Sequence, residues 1–147
     1  MQRSTLALLA AVGVLAAASL PALARDADEA AVRRTLDHYL QGHATGDGAH
    51  FAKAFHPDAK LFWTREGQLA QRTSADYIAS ASGRPAPDEA RRTRRIVSVD
   101  VTGDAASAKI VLDYPGVVLT DYMSLLRIGN EWLIVNKIFT REPKPGS

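Results

Sequence analysis

The 147-residue chain has no cysteine. That excludes a disulfide framework, a thiolate metal site and a thiol nucleophile. It also has little net charge, since 18 basic and 16 acidic side chains leave +2. So even a balance argues against nucleic acid or an anionic lipid surface as the main partner. Past residue 24 there is no internal repeat, no low-complexity tract and no apolar run of the roughly 20 residues needed to span a bilayer.

The one long apolar run is at the start. Arg3 precedes an Ala- and Leu-rich stretch from Leu6 to Leu20, Pro21 breaks it, and Ala22-Leu23-Ala24 has the small-x-small form of a cleavage site. Residues 1–24 therefore read as a signal peptide cut after Ala24. The run is short for a membrane span, and no cysteine is present to carry a lipid anchor. The expected product is a domain over 25–141 with a frayed tail at 142–147, exported to the periplasm or secreted.

Within that domain the period of the apolar residues changes once. From Asp26 to Ala44, the residues Val32, Leu36, Tyr39, Leu40 and His43 form one stripe of a helix. Gly46-Asp47-Gly48 ends it, and Asp47 suits the cap of a short second helix burying Phe51 and Phe55. His56-Pro57-Asp58 closes that helix, and Ala59 to Thr64 reads as a short strand with Leu61 and Trp63 on one face. Thr73-Ser74-Ala75-Asp76 resembles a capping box opening a third helix through Ala81. Beyond the 83–87 loop the alternation is that of strands. Val97, Val99 and Val101 share one face, then Ala106, Ala108, Ile110 and Leu112. Two longer strands, Val117 to Ile128 and Glu131 to Thr140, meet at the Gly129-Asn130 turn. Helices first and hairpin-linked strands afterwards define an α+β domain.

Two other clusters invite a functional reading. His43, His50 and His56 with Asp47 and Asp58 match no ligand spacing and are expected as solvated residues on the outside of the helical layer, so no metal is predicted. Arg91, Arg92, Arg94 and Arg95 stand beside Asp88 and Glu89, as expected of a solvated start to a strand and not of a nucleic-acid patch. The Asp113-Tyr114-Pro115-Gly116 segment reads as a strand end and turn.

The residues Gly46-Asp47 and Phe55-His56-Pro57-Asp58-Ala59, with the runs 120–126 and 129–139, resemble the nuclear transport factor 2-like superfamily. That superfamily includes ketosteroid isomerases and SnoaL-like cyclases. Within it, the similarity is closest to a branch labelled putative lumazine-binding. It covers nearly the whole mature chain, and its C-terminal run is the more specific part. It implies a cone-shaped fold, with about three N-terminal helices on a curved, mostly antiparallel sheet and a pocket between them.

Overlaying the isomerase pattern without gaps puts its oxyanion tyrosine on Tyr39, its general base on Trp63 and its second aspartate near Met123. A tryptophan abstracts no proton, so that steroid chemistry is not expected. By the same overlay Asp121, Met123 and Leu125 face the pocket, as do Ile134, Asn136 and Ile138. The candidate ligand-binding set is thus Tyr39, Phe55, Trp63, Asp121, Met123 and Asn136, an apolar and aromatic cavity with few polar groups. The resemblance also implies a homodimer, through an outer sheet face bearing Tyr122, Leu126, Leu133, Val135 and Phe139.

These observations favour a module that binds a small apolar or aromatic ligand, without a cofactor and without catalysis. The alternative is an acid–base dehydratase, cyclase or isomerase with Asp121 as base and Tyr39 as donor. A third possibility is a structural role with the interior filled by its own side chains. An open pocket separates the first two from the third.

Overall fold

The computed structural model describes residues 20–146. Three helices, α1 (Leu20–Thr45), α2 (Gly48–Ala54) and α3 (Ser74–Ala79), pack on one six-stranded sheet. The strands are β1 (Phe55–Arg65), β2 (Gln68–Thr73), β3 (Thr93–Thr102), β4 (Ala105–Tyr114), β5 (Val117–Ile128) and β6 (Glu131–Pro143). Their order across the sheet is β2-β1-β6-β5-β4-β3, antiparallel throughout except where β1 runs parallel to β6. This is the expected α+β cone. The proposed signal segment lies almost wholly outside the described residues. No described helix is long and apolar enough to cross a membrane.

The apolar stripe of α1 decides how the layers meet. Val32, Leu36 and Tyr39 are fully buried against Ile110, Leu112, Leu125 and Ile134 of the sheet. Burying each such aliphatic side chain contributes about 1.5–3 kcal/mol. Thr35 fixes the docking by donating to the Trp132 carbonyl at 2.6 Å. At the other end, Gly46 takes φ +70° and its carbonyl accepts from the Gly83 amide at 2.8 Å. A Cβ there would collide with the Arg84 carbonyl and the Ser82 hydroxyl. Glycine is needed for both reasons.

The caps follow the sequence. Asp47 accepts from the Ala49 amide at 2.8 Å, and Thr73 accepts from the Asp76 amide at 3.1 Å while donating to the Asp76 carboxylate at 2.7 Å. Four expectations need correction. The first strand begins at Phe55, not Ala59, because parallel pairing with Ile134 of β6 captures the chain as soon as α2 ends. An additional edge strand, β2, pairs with β1 across a turn at Glu66 and Gly67, both with positive φ. Val97 is not on the face of Val99 and Val101, since the register shifts between Ile96 and Ser98 and leaves it 43% exposed. The last strand continues to Pro143, paired opposite Val117, and not only to Thr140.

One irregularity governs the interior. On β5, Ser124 pairs with Asn136 and Leu125 with Ile134, so Val135 is an extra residue on β6. Such a bulge reverses which side chains face inward beyond it. Trp132 and Ile134 face in before it, and Lys137 faces in after it.

Candidate functional site

Three polar side chains meet inside the cone. Tyr39, from the middle of α1, donates its hydroxyl to Asp121 Oδ2 at 2.6 Å. Lys137 of β6 donates from Nζ to the Tyr39 oxygen at 2.6 Å. The same Nζ lies 3.1 Å from Asp121 Oδ1, an ion-pair contact outside hydrogen-bond geometry. Tyr39 and Asp121 are 0% exposed and Lys137 is 3% exposed. The site is built by register: Asp121 stands between Ile110 of β4 and Phe139 of β6, and Lys137 opposite Met123 of β5 and Leu61 of β1.

The rest of the ammonium's surroundings is aromatic. Nζ lies 5.0 Å from the centre of the Tyr39 ring, 4.8 Å from that of Phe139 and 5.5 Å from that of Tyr77. Cation–π attraction from three rings offsets part of the cost of leaving water. The phenol of Tyr77 in turn meets His43 Nε2 at 2.9 Å. His43 packs edge-on against Tyr39, with ring centres 4.7 Å apart.

Burial sets the protonation states. It pushes the Tyr39 phenol well above its ordinary value, and the Asp121 charge adds to the rise. Tyr77 is raised for the same reasons in the same order. Burial lowers the Lys137 amine, while the Asp121 carboxylate opposes the shift. His43 is lowered well below the ordinary imidazole range by burial first, then by the charges of Lys137, Arg94 and Arg92. It is therefore a neutral ring, hydrogen-bonded to the Tyr77 phenol in a direction set by its tautomer.

The expected residues divide as follows. Asp121 points inward and bonds Tyr39; Met123 and Phe55 are buried with them in the core. Trp63 is on the inward side of β1 but half-buried at the rim, its ring centre 5.4 Å from that of Phe139. Asn136 is on the opposite face of the sheet, in a cleft with Ser107, Ser124 and Ile138, and not in the interior with Asp121. The Val135 bulge is the reason, and it puts Ile138 outside as well, 51% exposed. It also turns Phe139 away from the outer face, where a dimer contact was expected.

His43 is not on the outside of the helical layer, because the apolar stripe of α1 carries it into the aromatic cluster. No group of three or more His, Cys, Asp or Glu able to hold a metal occurs among the described residues. Two of the four arginines are less solvated than expected. Arg94 pairs with Glu89 at 2.7 Å, and Arg92 with Asp88 at 2.8 Å, both against the Tyr114 ring.

The expected open pocket is closed. Tyr39, Asp121 and Lys137 are all buried, and none of them lines the surface concavities beside α1, the 103 turn, Trp63, Asn136 or Tyr77. Tyr77 and Phe139, which flank the ammonium, and Trp63, which packs on Phe139, are each partly exposed. Sequence reasoning missed Lys137 and Tyr77. The available signal was a lysine inside the apolar run Leu133 to Phe139, where a charge is costly unless it has a partner.

Residues 27–140 match the family described as "Putative lumazine-binding", and the chain belongs to it. The fold is shared with solved structures of the nuclear transport factor 2-like superfamily. A protein of unknown function from Shewanella baltica is 25% identical, with a TM-score of 0.72 over 81% of this chain and 97% of its own. One from Methylobacillus flagellatus is 27% identical, with a TM-score of 0.66 over 79% and 93%. Among curated proteins, Aldolase FrzH of Cladobotryum sp is 20% identical over 114 residues, covering 78% of this chain and 91% of that protein.

Proposed function

We infer that this domain binds a small, flat organic molecule in the cone, admitted when the Trp63–Tyr77–Phe139 wall opens and oriented by Lys137, Tyr39 and Asp121. The observation that carries this reading is a buried ion pair and phenol flanked by partly exposed aromatic rings. Burying two charges costs several kcal/mol each before pairing, and apolar residues of similar volume usually do as well. Polar groups kept in such a place are candidates for a functional role. The family description, which names lumazine, is in keeping with a flat heterocycle stacked on Trp63.

The test is saturable quenching of Trp63 fluorescence by lumazine and other flat heterocycles. Trp63→Leu removes the signal and Asp121→Asn weakens binding. Absence of saturable quenching across the panel rejects the reading in favour of an interior filled for structure alone.

A second reading is supported by two observations: the likeness to an aldolase and the lowered Lys137 amine. On that reading the trio transfers protons in carbon–carbon bond chemistry on a small cyclic substrate, with Asp121 as base and Tyr39 as donor. Loss of turnover with little loss of binding in Asp121→Asn distinguishes it.

Two further properties belong to the proposal. The leader at 1–24 directs export and is cut after Ala24, within the first turns of α1. The sheet's outer face makes a homodimer; Tyr122 (48%), Leu126 (41%) and Ile138 (51%) are exposed there, an apolar patch unusual for a monomer. The ligand is taken without a cofactor.

A further inference from the structure

We propose that Lys137 is a covalent attachment site for an aldehyde or ketone, which its side-chain nitrogen captures as an imine inside the cone. The inference rests on the interior-ligand reading above and adds the chemical class of the ligand.

The geometry separates Lys137 from every other lysine of the chain. Lys53 and Lys60 are exposed, and Lys109 and Lys144 are only partly buried. Lys137 alone sits in an apolar, aromatic interior, and its nitrogen has two polar neighbours, both able to exchange protons with it. A lysine amine reacts with carbonyls only when neutral, and removal from water favours the neutral form. The direction found for this amine agrees, burial lowering it against the pull of Asp121.

The neighbours supply the rest of the chemistry. Asp121 Oδ1, 3.1 Å from Nζ, takes one proton from the ammonium and frees the nitrogen lone pair. The lone pair forms a bond to the carbonyl carbon, while the C=O π pair moves onto oxygen. That oxygen takes a proton from the Tyr39 hydroxyl, which is already in contact with Nζ at 2.6 Å. The adduct nitrogen returns a proton to Tyr39, giving a neutral carbinolamine. Its hydroxyl then leaves as water, with the proton Asp121 had taken, as the nitrogen lone pair closes the C=N bond. The product is a protonated imine beside the restored carboxylate. Atoms balance as amine plus carbonyl giving imine plus water, and nothing is oxidised or reduced. The positive charge stays on nitrogen, so the contacts with Asp121 and the rings of Tyr39, Tyr77 and Phe139 persist in the product.

The test uses benzaldehyde as probe and cyanoborohydride to reduce the imine, on the full-length protein at neutral pH, with peptide mapping of the adduct. The expected result is benzylation concentrated on Lys137, ahead of every other lysine of the chain. It is slower in Tyr39→Phe and absent in Lys137→Arg, whose retained fold is checked by near-ultraviolet circular dichroism. Trp63 fluorescence, titrated with benzaldehyde before reductant, reads non-covalent entry separately. Saturable quenching with Lys137 unlabelled overturns the imine and leaves the binding reading standing. Neither quenching nor label at Lys137 overturns both. Label spread over Lys53, Lys60, Lys109 and Lys144 at the rate of Lys137 also overturns the proposal, since Lys137 would then have no special reactivity.

Discussion

Lys137→Met is the most informative single change, because it keeps most of the side-chain volume and removes only the charge. In the native interior Asp121 has one hydrogen bond, from Tyr39, and one ion-pair contact, to Lys137. Without the lysine a carboxylate at 0% exposure keeps only the phenol. Removing one partner of a buried pair costs about 3–5 kcal/mol. For a domain of this size that lowers Tm by roughly 10–20 °C. The double variant Lys137→Met/Asp121→Leu removes both charges and leaves only the Tyr39 hydroxyl short of a partner, a residual cost of about 1–3 kcal/mol. Urea unfolding followed by circular dichroism measures all three proteins. The single variant should be the least stable, because it alone strands a buried charge. A single-variant cost below about 1 kcal/mol would refute the buried ion pair. A double variant no better than the single one would show that the cost lies in packing.

Other consequences are open to measurement. His43 is held neutral in the fold, so the unfolded chain binds the extra proton as pH falls below about 6.5; stability should be complete above that pH and drop below it, and His43→Gln should flatten the drop in urea midpoints. Tyr39 and Tyr77 stay protonated in the fold when free phenols ionise, so stability should fall above about pH 10, with a smaller fall in Tyr77→Phe. Gly46→Ala meets backbone and requires positive φ; it should cost more than about 1 kcal/mol in thermal unfolding, whereas Gly67→Ala meets no atom and should cost only the backbone strain. Light scattering should give a dimer mass that Ile138→Glu shifts to monomer, and N-terminal sequencing of exported protein should begin at Arg25; monomer at micromolar concentration or an intact Met1 would reject the respective claims.

Local patterns carried the fold a long way. The stripe Val32-Leu36-Tyr39 committed α1 to face a sheet, since no other face of that helix is apolar. Alternation at Ala106, Ala108, Ile110 and Leu112 set the inward side of β4, and all four are buried. Asp47 and Thr73 announced their helices by cap chemistry that needs nothing beyond the next three residues. The placement of Asp121 beside Tyr39 came from the family overlay at Tyr39 and Met123, extended by the alternation along β5.

What the amino-acid order by itself determined, then, was everything with a short-range cause: the helix stripe, the caps, the two-residue turn and the parity of each uninterrupted strand. Tertiary structure decided the rest, and the Val135 bulge shows why. A bulge has no dependable local signature, because it arises where two strands of unequal path length must stay paired around a curved sheet. Its effect is to exchange Asn136 for Lys137 as the inward residue. The expected polar pair of Asp121 and Asn136 becomes an ion pair of Asp121 and Lys137, and an open pocket becomes a closed, charged one. The partnership of Tyr77 with His43 has the same origin, since 34 positions separate them in the chain and only the packing of α3 against β1 and α2 brings phenol and imidazole together.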